Sequence, residues 1–243
     1  MRDLLDAYPY LFMSIMLFIV FLFLFRISRS LRPLLFLGGA ASALYSFTSP
    51  IFVPAYWEPV RLGHYFVGLE DMVFSFANGG IACFFAIWPF RNRIKIHYSP
   101  GSVFLKYLFW TAFGAFFSYL MKFTGSSVMF CFLFAMLITG AALIFKRSGY
   151  WQLSFSGGPP FTILYMGIIF ITGLLFPSFH TQWTHENLWG IRLLGFPIEE
   201  FIWAFGFGAV FPLIMASGFG LTFENSEGFF KKISLIKIRP VKS

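Results

Sequence analysis

Two pairs of adjacent acids stand out in a chain with little other charge: Glu70-Asp71 and Glu199-Glu200. Each pair opens a long apolar stretch. An ionised carboxylate in hydrocarbon costs about 2.5–3.5 kcal/mol on insertion scales, so four of them in such places need a reason. One reason is structural, because carboxylates near a helix N-terminus satisfy free N–H groups and suit the helix dipole. Capping does not call for acids in tandem, nor for an aromatic residue one turn after each pair. Neighbouring carboxyls in a low dielectric do not comfortably both ionise, so one of each pair is expected to hold a proton at neutral pH. A protonated carboxyl beside aromatic rings is suited to general-acid chemistry. On a helix, Glu70 shares a face with Phe74 and Glu199 with Trp203, while Asp71 lies nearly above Asn78 and Glu200 above Phe207.

The elements that must hold these acids follow from composition. Of 243 residues, 58% are hydrophobic and 12% charged, about half the charge of a soluble domain. That excludes a soluble globular domain and a disordered chain. A spanning helix needs about 20 apolar residues. Seven stretches qualify: approximately Pro9–Phe25, Pro33–Phe52, Gly68–Phe90, Ser102–Met121, Ser126–Phe145, Pro160–Phe176 and Pro197–Phe219. The predicted fold is an all-α membrane protein with seven transmembrane helices. Fourteen of the 18 Lys and Arg residues fall on one side of this alternation; only Arg2, Arg61, Lys122 and Arg192 fall on the other. The positive-inside rule then puts the N-terminus outside and the basic C-terminal tail in the cytoplasm, with the cell's inner membrane as the expected location. The net charge of +8 is thereby explained at the membrane surface, and nucleic acid is not an expected partner. Cys83 and Cys131 lie inside apolar runs, which argues against a disulfide framework. The first run ends at Arg26 with no small-residue cleavage pattern, so no signal peptide is expected. Phenylalanine alone supplies 38 residues; lipid asks for apolar side chains, but not for rings.

Residues 68–81 and 197–210 form a weak duplication at an offset of 129. Acidic pair matches acidic pair, Phe76 matches Phe205 and Gly79 matches Gly208. Spans one to three therefore resemble spans five to seven, as two parallel repeats joined by a linking helix. The divisions are 1–101, the first three-helix repeat; 102–125, the linking helix; 126–220, the second repeat; and 221–243, a basic tail. Both acidic helices then start on the outer side, after loops at about Pro54–Val67 and Pro177–Phe196. Tyr56, Trp57, Tyr65, Trp183 and Trp189 in those loops form an interfacial belt or, more sharply, a pair of lids over a site at membrane level. Ser75 with Gly79, and Ala204 with Gly208, are small residues four apart and mark close helix contact.

The run from Gly190 through Pro197-Ile198-Glu199-Glu200 to Phe201 closely resembles the second Pro-x-Glu-Glu motif of the membrane-integral lycopene cyclases. That family has two three-span units, each with one such motif, and its fused form adds a linking span. The first copy here has Gly68 in place of the proline and Asp71 in place of the second glutamate, and Trp203-Ala204 replaces the usual Phe-Phe. The resemblance implies Glu199, Glu200, Glu70 and Asp71 as catalytic residues. A carboxyl protonates the terminal double bond of a linear polyene, the tertiary cation closes a six-membered ring, and a carboxylate removes a proton, with no net redox change. Phe74, Phe76, Trp203 and Phe205 would stabilise the cation, and Asn78 and Phe207 would join them in binding substrate. The expected partners are a linear polyene or other isoprenoid and membrane lipid; a homo-oligomer is left open.

Other chemistries find less support. The seventh span has no Lys for a retinal Schiff base. His180 and His185, five apart beside Glu186, lack zinc-protease spacing, so no metal is expected. No Gly-x-Gly-x-x-Gly follows a strand, and no cofactor is implied. Two rivals stay open: an isoprenoid-binding protein without turnover, and a proton-coupled transporter. Against the transporter, no span reads as broken and polar-lined.

Overall fold

The computed structural model describes residues 7–63, 67–97, 99–183 and 188–223. Arg2, His64, Tyr65, His185, Glu186 and most of the basic tail lie outside the described residues. The protein is all-α, and among the described residues seven helical spans are long and apolar enough to cross a membrane. We label the main helices α1 Pro9–Ile27, α2 Arg32–Ala43, α3 Leu69–Ile87, α4 Pro100–Lys122, α5 Val128–Lys146, α6 Tyr150–Leu175 and α7 Ile198–Gly218; α2 is the regular part of a longer helical span, Arg29–Phe52. Large apolar side chains face outward around the bundle, among them Phe104, Phe123, Phe145, Phe155 and Ile163, a surface suited to hydrocarbon. The two acidic helices, α3 and α7, are central: they pack on each other, α3 also on α1, α2 and α6, and α7 also on α4, α5 and α6.

Helix starts follow proline where nothing upstream can continue the helix. Pro9 and Pro100 begin α1 and α4, and Pro33 lies in the first turn of α2. A proline at that place gives up an N–H that has no partner anyway. The same rule misplaces α6. Its expected start at Pro160 is an internal position, and the helix begins ten residues earlier, at Tyr150, with Pro159 and Pro160 inside it. Neighbouring groups help hold this stretch: Ser156 Oγ donates to the Ala86 carbonyl of α3 at 2.8 Å, and Ser154 Oγ to the Ala209 carbonyl of α7 at 2.9 Å. Close helix neighbours of this kind let membrane helices tolerate proline.

The second span also departs from expectation. After α2 the chain tightens into a 3₁₀ stretch, Leu44–Thr48, followed by one α-turn, Ser49–Phe52. Ser46 Oγ donates to the Ala43 carbonyl and Thr48 Oγ1 to the Tyr45 carbonyl, side-chain bonds that compete with the regular ladder. This span is thus broken and polar in its C-terminal third, contrary to the sequence reading.

Glycines set the closest approaches. A Cβ at Gly79 would come within 2.3 Å of the Ser42 Cβ and 2.7 Å of the Gly38 carbonyl oxygen, locking α3 to α2; one at Gly208 would come within 2.7 Å of the Phe161 Cβ and 2.9 Å of the Gly157 oxygen, locking α7 to α6. Alanine normally favours a helix over glycine by about 1 kcal/mol. At Gly208 the backbone contact reverses the sign. Gly208→Ala is expected to destabilise the fold by about 1–3 kcal/mol through overpacking, read as a lowered thermal midpoint in detergent. An unchanged or raised midpoint would show that α6 and α7 can separate at no cost.

At one end of the bundle the short strands β1 Ile94–Lys95 and β4 Thr222–Phe223 pair, and Arg147 Nη1 donates to the Leu221 carbonyl at 2.8 Å. At the other end the two long loops meet. Trp57 and Trp183 form an isolated antiparallel bridge, and the Glu58 N–H donates to the Gln182 carbonyl at 2.6 Å. A tight hairpin, β2 Arg192–Leu193 and β3 Phe196–Pro197, leads into α7. Its two turn residues, Leu194 and Gly195, both have positive φ, as a two-residue hairpin turn requires.

Candidate active site

The acids begin α3 and α7 at equivalent positions but in unlike surroundings. Asp71 is the third residue of α3, and Gly68 precedes that helix with a free N–H. Asp71 Oδ2 accepts it at 2.9 Å, a local cap of the usual kind. The same oxygen pairs with Arg61 Nη2 at 3.0 Å, and Oδ1 accepts from Tyr10 Oη of α1 at 3.0 Å. Glu200 is the third residue of α7, but Pro197 precedes that helix and has no N–H to offer. Its carboxyl is therefore free to turn inward. Oε1 accepts from Tyr56 Oη and Trp183 Nε1, both at 3.0 Å, and Oε2 from Tyr165 Oη of α6 at 3.1 Å. Among its hydrogen-bond partners Asp71 has a cation; Glu200 has three neutral donors.

The other member of each pair turns to its own loop. Glu70 Oε1 accepts the Leu62 N–H at 2.6 Å, and Glu199 Oε1 accepts the Trp189 N–H. Glu199 Oε2 is buried without a hydrogen-bond partner among the described residues. All four acids are buried.

Asp71 and Glu200 line one cavity of about 140 Å³, together with Phe74, Asn78, Trp203 and Phe207. These residues recur at i, i+3 and i+7 and so share a helix face. Glu70, Glu199, Phe76 and Phe205 do not line it. Phe76 and Phe205 come five residues after the facing acid, about 140° round the helix. Phe76 packs against Phe21 and Phe36. Phe205 is half-exposed and lies beside Gly158.

The cavity wall is aromatic on several sides. Phe74 stacks on Trp203 with centroids 6.2 Å apart, Trp203 on Phe207 at 5.3 Å, and Tyr165 tilts against Trp203 at 5.1 Å. Above them the bridged loops bring Trp57 to within 4.7 Å of Tyr10 and 5.8 Å of Trp183, ring centre to ring centre. Burial first, and then the Glu200 carboxylate, push the Tyr56 phenol far above its ordinary value, so it stays a hydrogen-bond donor.

A second and larger cavity, about 380 Å³, lies between α4, α5 and α7 and is almost wholly apolar. Tyr45, Thr48, Phe52, Phe132 and Phe207 line both cavities, so the two are neighbours across a shared wall.

Sequence reasoning missed Tyr10 and Tyr165, and it read Arg61 only as a topogenic charge. A signal for the tyrosines was present. A phenol hydroxyl inside an apolar run needs a partner when buried, and the acids were the available acceptors. Tyr56, Trp57 and Trp183 were named as loop aromatics; all three line the cavity, and Trp57 and Trp183 bridge their two loops.

Comparison with curated proteins and with solved structures gave no match. A family model does match: that of lycopene cyclase, over residues 123–217. The matched stretch runs from the end of α4 almost to the end of α7 and carries Tyr165, Trp183, Glu199, Glu200 and Trp203. The half of the site built round Glu200 thus lies in a segment similar to the lycopene cyclase family.

Proposed function

We propose that the protein is an integral-membrane carotenoid cyclase that closes an ionone-type ring on a linear polyene such as lycopene by proton-initiated, non-redox cyclisation, an intramolecular isomerisation. The observation that carries this reading is the pair Asp71 and Glu200, buried on one aromatic cavity with opposite electrostatic settings. Glu200, beside neutral donors, gives its proton to the terminal double bond. Its Oε1 is held by two donors, whereas Oε2 has one, a hydroxyl that can turn; the transferable proton sits on Oε2. The tertiary cation draws the neighbouring double bond to it and a six-membered ring closes. Asp71, its charge balanced by Arg61, takes a proton from the ring carbon next to the new cation, and the ring alkene forms. One proton enters the product and one leaves, so the two carboxyls must exchange a proton before the next turnover. Phe74, Tyr165, Trp203 and Phe207 offer ring faces to the passing cation, and the bridged loops keep out the water that would quench it. The rest of the polyene runs into the larger cavity against α4. The acidic ends of α3 and α7 stand on the outer side, with the N-terminus outside, following the Lys and Arg distribution.

The test is expression in cells that accumulate lycopene, followed by pigment analysis. A cyclised carotenoid is expected; unchanged lycopene with well-folded protein in the membrane would overturn the assignment. The broken, polar C-terminal third of the second span favours one rival, a proton-coupled transporter. Proton movement driven by a solute gradient in vesicles would establish that reading instead.

A further inference from the structure

Two side chains on the wall of the acid cavity are buried with polar groups that no described residue satisfies. Asn78 of α3 is 1% exposed, and neither its carboxamide oxygen nor its nitrogen has a hydrogen-bond partner. Ser42 of α2 is as deeply buried, and its Oγ is likewise unpartnered. Both line the same cavity, and Ser42 packs on Gly79, the residue after Asn78. Three other hydroxyls on the same wall are already engaged: Ser46 and Thr48 bond backbone carbonyls, and Ser49 accepts from Arg61. Asn78 and Ser42 therefore form a separate polar niche, seven residues or about 10 Å along α3 from Asp71.

A pure hydrocarbon in this cavity would leave three polar atoms buried and bare, which is unfavourable. The carboxamide both donates and accepts, and so does the serine hydroxyl. A hydroxyl group complements both. We propose that the preferred substrate is an oxygenated isoprenoid, a polyene whose chain carries a hydroxyl that bonds Asn78 and Ser42 while its terminal double bond lies between Glu200 and Asp71. This rests on the cyclase reading and narrows its substrate class. An ordered water could supply the same hydrogen bonds, and the experiment separates the two sources.

The full chain, purified in detergent, would be titrated with lycopene and with a hydroxylated acyclic congener. Binding is followed by quenching of tryptophan emission, because Trp57, Trp183 and Trp203 line the cavity. The hydroxylated polyene is expected to bind at least about tenfold more tightly, since a site built to bond a hydroxyl discriminates against analogues that lack it. Asn78→Leu should bring the ratio of the two affinities close to one, and Ser42→Ala should move it part of the way. Neither change removes a protein–protein hydrogen bond, so both variants should fold. Equal affinity of the unaltered protein for both polyenes would overturn the proposal. So would an equal effect of Asn78→Leu on both, which would assign the niche to a bound water. If lycopene binds equally well and is cyclised, only the oxygenated-substrate proposal falls; if neither polyene binds, the cyclase reading falls with it.

Discussion

Glu200→Gln is expected to abolish ring formation while leaving the fold intact. The glutamine oxygen can accept from Tyr56 and Trp183 as Oε1 does now, at the same 3.0 Å. Its NH₂ then faces Tyr165, whose hydroxyl accepts as readily as it donates. No buried group loses its partner, so the thermal midpoint should stay within a degree or two of the parent, about the effect of a few tenths of a kcal/mol. The variant lacks only an acidic proton. Loss of a general acid is worth roughly 10²–10⁴ in rate, which in a pigment assay reads as uncyclised substrate. Cyclised product at the parental level would remove Glu200 from the chemistry. A collapsed midpoint would mean instead that the residue is needed as a charge. Glu199→Gln is the informative control, because Glu199 faces Trp189 rather than the cavity; it should lose much less activity.

Arg61→Met should be the most destabilising single change near the site. The guanidinium pairs with Asp71 at 3.0 Å, with both side chains largely buried, and also donates to Ser49 Oγ at 2.6 Å. Methionine keeps the apolar stem but leaves a buried carboxylate without its cation. Breaking one side of a buried pair costs about 3–5 kcal/mol. Asp71→Asn in the same chain removes the orphan charge, so the double variant should regain much of the lost stability. It should regain no cyclase activity, because the proton acceptor is gone. Unfolding of the three variants in one detergent measures the coupling. A drop under about 1 kcal/mol for Arg61→Met would place the pair in the screened, exposed class and remove the reason for casting Asp71 as the ionised partner.

The spans were legible because lipid imposes length and apolarity on every one of them, and Pro9–Ile27 or Val128–Lys146 contain little else. The start of α6 was not, because a proline pair looks the same at a helix start and inside a helix held by its neighbours; Ser154 and Ser156 decide the matter through α3 and α7, remote in sequence. The acids were legible as pairs. Which acid of each pair faces the cavity was not, because one residue is 100° of helix rotation and the phase is set by packing: Gly79 against Ser42, and Gly208 against Phe161. The same ambiguity spread the aromatic candidates over two faces, of which Phe74, Trp203 and Phe207 meet the cavity and Phe76 and Phe205 do not. Arg61 was hidden by its own plausibility, since a lone arginine in an outer loop has an ordinary topological reading.

Gly68 and Pro197 stand 129 residues apart in matching places, and the backbone nitrogen carries a hydrogen in the first and none in the second. Two carboxyls in like settings would be interchangeable, and a palindromic guest would meet the same face whichever way it lay. That hydrogen, present on one side and missing on the other, ties one carboxyl to its own backbone and releases the other. The cavity thereby acquires a direction, with a carboxyl tied to its own backbone and an arginine on one side and a carboxyl held by neutral donors on the other.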